Sequence, residues 1–315
     1  MTASPRITVI VMTYNQQDLV GEAIAAALAQ DCEPIEILIS DDRSSDGTWD
    51  AIGRATAGYA GPHRVTLNRN AVNLGITAHL NRCVELAAGD ILIGAAGDDV
   101  SAPDRVRRIA ETFDAGAPLL VHSRVEAISD DPTARMSHEK ALFFRSVDPV
   151  KAATSFALYV GATIGFHRDL YRTYGPLPAR DCYEDMILGF RAALEGRVAF
   201  IDAPLVRYRV GGGVSTAARR VAGSAEWRGA RASAFRRNLV IVRQRLKDAE
   251  TFGLPEGHEV RRVLRRSIAL QAMRVALLDQ GGAGFAQAAR QNPILAARVW
   301  FDERGRERRA RRNWA

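Results

Sequence analysis

Two adjacent carboxylates, Asp98 and Asp99, follow Gly97 at the end of the apolar run Ile91-Leu92-Ile93-Gly94-Ala95-Ala96. Small and apolar residues in such a run predict a buried strand, with the acids where the strand emerges. Two acids at one strand end repel each other and lose solvation, so something positive must offset them. A hard divalent cation carrying phosphate oxygens is the usual partner. The alternative is that one of the pair caps a helix opening near Pro103-Asp104. On these residues alone both readings stand.

Two further polar clusters follow apolar runs. Thr13-Tyr14-Asn15 follows residues 7–12. A tyrosine there can stack on a nucleobase beside two hydrogen-bonding side chains, or simply pack against its neighbours. Asp41-Asp42 ends the run 35–40 and precedes Arg43-Ser44-Ser45-Asp46-Gly47-Thr48. The later part of that segment is a helix start, with Asp46 or Ser45 as cap. The acid pair lies ahead of the turn, so capping does not explain it. A carboxylate there can accept hydrogen bonds from base or ribose donors.

The elements that must position these groups alternate. Strand patterns cover 7–12, 35–40, 64–68, 90–95 and 119–125, and helical patterns cover 18–29, 47–57, 75–88 and 103–115. Such alternation predicts an α/β protein with a mostly parallel, Rossmann-like central sheet flanked by helices. Ligands of such sheets bind beyond the carboxyl ends of the strands, where the polar clusters fall. Between 130 and 151 the pattern weakens, as a surface excursion would. It resumes with a helix near 149–159, a small-residue segment 161–166, a helix 184–194 and a strand 198–209. Gly211-Gly212-Gly213 then punctuates the chain.

Residues 216–315 carry 22 Lys+Arg against 9 Asp+Glu, while the first 215 residues carry 21 against 27. The overall charge of +7 therefore conceals an acidic part and a strongly basic one. The basic part reads as helical over 226–250 and 259–279. Trp227, Phe235, Val242 and Leu246 share one face there, and Val260, Leu264 and Ile268 another. Two regions follow, 1–215 and a basic α-helical extension 216–315. A basic amphipathic helix can lie on an anionic membrane or dock on a neighbouring domain. Charge alone does not make it a nucleic-acid binder, and no nucleic-acid motif accompanies it. Three scattered cysteines, six histidines without metal spacing and no signal-like N-terminus predict a reduced, cytoplasmic protein.

Five blocks in order carry a resemblance: Val9-Ile10-Val11-Met12-Thr13-Tyr14-Asn15, Ser40 to Thr48, Asn73-Leu74-Gly75, Gly97-Asp98-Asp99, and Tyr183-Glu184-Asp185 with Leu205-Val206-Arg207-Tyr208-Arg209. Together they resemble a family 2 glycosyltransferase of the GT-A fold, over residues 5 to about 215. The resemblance implies an inverting glycosyltransferase that moves a sugar from a nucleotide-diphosphate-sugar, expected to be a UDP-sugar, to a saccharide or glycolipid acceptor. Bacterial surface polysaccharide synthesis is the implied setting. It also implies roles. Tyr14 resembles the aromatic that stacks on the donor base, beside Thr13 and Asn15. Asp42 resembles the acid that hydrogen-bonds the base, with Asp41 in support and Asn73 and Gly75 in a loop near the nucleotide. Asp98 and Asp99 resemble the ribose and metal acids, for Mn²⁺ or Mg²⁺, with Asp99 the main ligand. Asp185 resembles the general base, and Glu184 a residue that orients the loop or caps.

The chain departs from the family pattern twice. Ala96 stands where many relatives carry a third acid, and Gly211 stands near where many carry a histidine. These departures keep a rival open: a binding protein of the same fold that has lost turnover. A membrane-surface assembly factor acting through the basic tail is a second rival. A nucleotidyltransferase would need a glycine-rich, basic loop after the first strand, and Thr13-Tyr14-Asn15-Gln16-Gln17 offers none. The expected location is the cytoplasm, with two alternatives open for the basic helices: contact with the inner face of the membrane, or docking on the catalytic domain. Sugar, acceptor and oligomeric state are not legible.

Overall fold

The computed structural model describes residues 7–129, 148–178, 182–210, 224–279 and 281–311. The chain clusters into two compact units, Met1–Gly213 and Val214–Ala315.

In the first unit the order is β1 (Ile7–Thr13), α1 (Val20–Leu28), β2 (Glu36–Asp41), α2 (Thr48–Thr56), β3 (Arg64–Arg69), α3 (Ile76–Leu86), β4 (Ile91–Ala96), β5 (Val100–Ser101) and α4 (Arg105–Gly116). There follow β6 (Leu120–Ile128), α5 (Pro149–Thr154), a 3-10 turn (Gly161–Thr163), β7 (Gly165–His167), α6 (Asp169–Tyr174), α7 (Glu184–Leu194) and β8 (Val198–Arg209). The strands form one mixed sheet in the order β3-β2-β1-β4-β7-β6-β8-β5. β1 and β2 are apolar on both faces because helices cover both. Val9, Val11, Ile37, Ile39 and Ile93 pack there with Ile24, Ile52 and Ile109 from the helices.

The parallel sheet expected from the alternation is the β3-β2-β1-β4 half. Beyond it, β7 runs antiparallel to both β4 and β6, and β5 antiparallel to β8. Strands of two and three residues are too short to show a period, which is why neither β5 nor β7 was legible. The six expected strands lie within three residues of their observed ends.

The second unit is helical: α8 (Ser224–Thr251), α9 (Glu259–Leu278), α10 (Gly281–Gln291) and α11 (Pro293–Arg311). α8 and α9 pack along each other. Of the two expected apolar faces, Phe235, Val242, Val260 and Leu264 are buried, while Trp227, Leu246 and Ile268 are half-buried. α10 and α11 had no apolar signature. The buried face of α11 carries Ala296 and Val299 but also Glu303 and Glu307, so its period is broken by acids that are paired internally. Arg231 grips Glu303 with two bonds of 2.7 and 2.9 Å, and Arg228 bonds Glu307 at 3.0 Å. Most of the excursion expected over 130–151, together with Gly211–213, Arg219, Arg220, His138 and Arg312, lies outside the described residues.

Candidate active site

The carboxyl ends of β1 and β2 are locked together. Thr13 lies opposite Asp41 in the ladder, and the Asp42 N–H donates to the Thr13 carbonyl at 2.9 Å. The chain leaves β1 through Asn15 at φ 52°, a left-handed conformation that asparagine tolerates. Asn15 N–H donates to Ser44 Oγ at 2.9 Å, and Ser45 N–H returns a 2.9 Å bond to Asn15 Oδ1. Tyr14 projects from this clasp with its side chain 46% exposed.

Asp41 and Asp42 differ in surroundings. Asp41 is fully enclosed and takes bonds from Thr13, from both Ser44 N–H and Oγ, and from Arg69. Asp42 points at the loop before α3. Its carboxylate accepts Asn70 Nδ2 at 2.8 Å, Leu74 N–H at 2.8 Å and Gly75 N–H at 2.9 Å, while its carbonyl accepts Asn73 Nδ2 at 3.2 Å. Gly75 sits at φ +79°, where a side chain would be strained. Behind the pair, buried His79 shares a 2.7 Å bond with Ser40 Oγ, and burial lowers its pKa against the pull of Asp42 and Asp41.

β4 brings the second acid pair to the same edge, since Gly97 N–H donates to the Met12 carbonyl at 3.0 Å. A Cβ on Gly97 would collide with Gln16 Oε1 and come within 2.9 Å of Thr13 Cγ2. Glycine is therefore what lets the two strand ends close up. Asp99 does not cap α4. It is 6% exposed, and its Oδ1 accepts the Arg209 backbone N–H at 2.8 Å. Arg209 Nε donates to the Asp98 carbonyl at 3.3 Å, and its Nη2 pairs with Glu22 at 3.2 Å. Burial, and then the charge of Asp98, push the Asp99 carboxyl up to about 7 against the pull of Arg209 and Arg105. Burial also raises Asp98. Two under-compensated acids side by side suit a cation. Among the described residues no third His, Cys, Asp or Glu joins them, so water or phosphate oxygens would complete the ligand set.

Asp185 opens α7 with Glu184, both in the first turn. A Cβ on Gly161 would lie 2.5 Å from Glu184 Oε1 and 3.6 Å from Asp185 Cβ, so the bare glycine seats the helix start on the 3-10 turn. That turn is tied to β4. Gly94 N–H donates to the Ile164 carbonyl at 3.0 Å, and buried Arg105 donates to the carbonyls of Gly94 at 2.7 Å and Ala162 at 2.8 Å. Arg105 also reaches Ser101 Oγ at 2.9 Å. One guanidinium thus staples the strand of acids to the segment under Asp185. Desolvation raises the buried Glu184 carboxyl.

Thr13, Asn15, Asp41, Asp42, Asn73 and Gly75 are therefore linked by hydrogen bonds, in part through Ser44, with Tyr14 projecting between Thr13 and Asn15 and with Asp98 and Asp99 beside them. Asp185 stands on a different element, joined to them through Arg105 and the 3-10 turn. Gln16, Arg105 and Glu22 were not legible, because their partners are distant in sequence. Arg209 stood within a recognised block, but nothing in its spacing announced its bond to Asp99.

A family model described as "Glycosyl transferase family 2" matches residues 8–175. A putative glycosyltransferase, EpsE of Bacillus subtilis, is 33% identical over 108 residues, 34% of this chain and 38% of that protein. The succinoglycan biosynthesis protein ExoO of Rhizobium meliloti is 32% identical over 139 residues, 44% of this chain and 38% of that one. The chain thus spans well under half the length of these relatives. Among solved structures, S. aureus TarS 1–349 in complex with UDP-GlcNAc superposes with a TM-score of 0.62 at 14% identity, over 90% of this chain and 79% of that one. The mannosyltransferase PcManGT from Pyrobaculum calidifontis, in complex with GDP-Man and Mn²⁺, gives 0.55 at 21% identity over 96% and 81%. The fold is the GT-A fold shared with these structures.

Proposed function

The chain belongs to glycosyl transferase family 2, and on that premise we propose that it moves a sugar, with inversion, from a nucleotide-diphosphate-sugar to a saccharide or glycolipid acceptor. One observation carries the reading: the ends of β1, β2 and β4 are bonded into a single edge, through Asp42 N–H to Thr13 and Gly97 N–H to Met12. That edge holds an exposed ring, a loop-organising acid and a carboxylate pair suited to a cation.

In this proposal Tyr14 stacks on the base, and Thr13 and Asn15 shape the floor beside it. Asp42 uses its remaining lone pairs for the base, while its bonds to Leu74 and Gly75 hold the loop of Asn73 in place. Asp41, fully enclosed, acts behind it. Asp98 and Asp99 are the residues that would hold Mn²⁺ or Mg²⁺, whose charge would offset that developing on the leaving diphosphate. Asp185 takes the acceptor's proton as the hydroxyl oxygen bonds the anomeric carbon. The bond from that carbon to the phosphate oxygen breaks, and the nucleoside diphosphate leaves with the electron pair. A single base opposite the leaving group gives inversion. We assign this chemistry to residues 1–215 and the basic region 216–315 to attachment.

We propose a UDP-sugar as the donor; the complexes of TarS with UDP-GlcNAc and of PcManGT with GDP-Man support a nucleotide-sugar of either base, and the likeness to ExoO supports polysaccharide assembly. The proposed location is cytoplasmic, with the basic helices on the inner face of the membrane. Among the described residues no helix is long and apolar enough to cross one. The rival of a binding protein without turnover draws on Ala96 and the absence of a third acid among the described residues. Calorimetric titration with UDP- and GDP-sugars, with and without Mn²⁺, tests the binding half. NMR of the product's anomeric configuration tests inversion. Absence of nucleotide-sugar binding in Mn²⁺ with Tyr14 and Asp42 intact would sink the proposal. Binding without transfer or slow donor hydrolysis would favour the rival.

A further inference from the structure

α11 separates its charges by face. Projected at 100° per residue, Ala296, Val299, Glu303 and Glu307 fall on one side, and these are its buried residues. Both glutamates are consumed inside the unit, Glu303 by Arg231 and Arg274 and Glu307 by Arg228 and Arg311. The opposite side carries Ile294, Arg298, Phe301 and Arg308, with Arg304 and Arg309 on its flanks. Ile294 is 83% exposed and Phe301 69% exposed, the two most exposed large apolar side chains among the described residues. Seven residues apart, they stand about 10 Å from each other along the axis. Phe301 is held by an edge contact to Trp300 at 4.9 Å, and the Arg304 guanidinium lies 4.4 Å over the Trp300 ring. Arg298, Arg304, Arg308 and Arg309 are exposed and have no ion-pair partner among the described residues. Asp302 is the one acid of α11 outside its buried face.

We propose that this outward face of α11, with Ile294 and Phe301 as apolar contacts and Arg298, Arg304 and Arg308 around them, docks on an anionic lipid bilayer surface. The inference rests on the membrane contact proposed above and narrows it to one helix face. A second copy of the chain would bring like charges face to face. A nucleic-acid groove would take the arginines but leave an isoleucine without an apolar environment. A bilayer interface offers both lipid phosphates for the guanidiniums and an acyl boundary for the two apolar side chains. Turning the acids inward is what leaves the outer face cationic enough to approach such a surface.

Sedimentation of the full chain with vesicles tests the assignment, using phosphatidylcholine alone or with 30% phosphatidylglycerol, at low and at raised salt. Binding is expected to the anionic vesicles only and to weaken with salt. I294S/F301S and R298E/R308E should each reduce partitioning about tenfold or more, with unchanged far-ultraviolet dichroism, melting temperature and donor binding. Wild-type binding that neither double variant weakens would overturn the α11 face while sparing the membrane contact. No wild-type binding to anionic vesicles would overturn both. Tighter binding to a DNA duplex than to vesicles, or a dimer that I294S/F301S dissolves, would replace the bilayer with that occupant.

Discussion

The backbone N–H of Arg209 donates to Asp99 Oδ1 at 2.8 Å, joining the last residue of β8 to an acid 110 positions earlier. The same residue's side chain clamps the Asp98 carbonyl and reaches Glu22 on α1. One oxygen of Asp99 is thereby fixed, and the carboxylate pair is aimed by a strand from the far half of the sheet. Removing the side chain leaves the backbone bond but frees the Asp98 peptide. Arg209→Ala should therefore raise the donor KM about tenfold in Mn²⁺ while Asp99→Asn abolishes Mn²⁺-dependent donor binding. Calorimetry with and without the metal separates the two. Equal loss in both variants would mean that Arg209 contributes charge to the site rather than placement.

Asp42 accepts three hydrogen bonds from the segment 70–75, so it holds that loop as well as facing the site. Asp42→Ala leaves those donors without their acceptor, a loss of about 1–3 kcal/mol. Asp42→Asn keeps one acceptor oxygen and should lose less. Denaturant melts give the stability difference, and the donor KM should rise in the same order. An alanine variant as stable as wild type would remove Asp42 from the loop's support.

Gly97 lets the ends of β1 and β4 close over Gln16. Gly97→Ala should cost about 1–3 kcal/mol through overpacking. Gln16→Ala in the same chain should restore part of that cost, because the Gln16 side chain is the first obstacle. The double-mutant cycle reads the coupling directly. Strict additivity would show that Thr13, not Gln16, sets the limit.

Gly97, Asp98 and Asp99 were legible as a strand end because apolar residues precede them. The alternation of strands and helices likewise revealed the parallel half of the sheet. What spacing could not carry was long-range closure. Arg105 reads as one more arginine in a helical pattern, yet it is buried and bridges Gly94 to Ala162. α11 escaped for the opposite reason, since Glu303 and Glu307 occupy positions that a packed helix usually gives to apolar residues. Their cost is offset by Arg231 and Arg228, which belong to a helix seventy residues away.

Glu36 supplies a pH signature away from the site. Burial works against its charge, but the Ala88 N–H, the Thr8 hydroxyl and Arg64 outweigh it and lower its pKa. A carboxyl lowered on folding stabilises fully above its unfolded value, near 4.3, and loses that contribution as pH falls through the folded value. Glu36→Gln should therefore lower the melting temperature at pH 7 and converge with wild type toward pH 3. Parallel melting curves across that range would exclude an ionised Glu36 as a source of stability.

Asp185 decides between an enzyme and a binding protein. It opens α7 on a seat made by Gly161, and that seat is fastened to the strand of Asp98 and Asp99 through Arg105. Asp185→Asn keeps the shape of the helix start and removes only the ability to take a proton. The turnover number should fall by about 10²–10⁴, the usual contribution of a general base, with donor affinity unchanged. Arg105→Met should behave differently, because it releases the fastening and leaves Asp185 itself intact. Its turnover should fall less, together with a lower melting temperature. If Asp185→Asn keeps full transfer activity, the proton goes elsewhere and the nearest alternative carboxyl, Glu184, becomes the candidate. If wild type binds donor and neither transfers nor hydrolyses it, the arrangement around Asp185 is a binding wall.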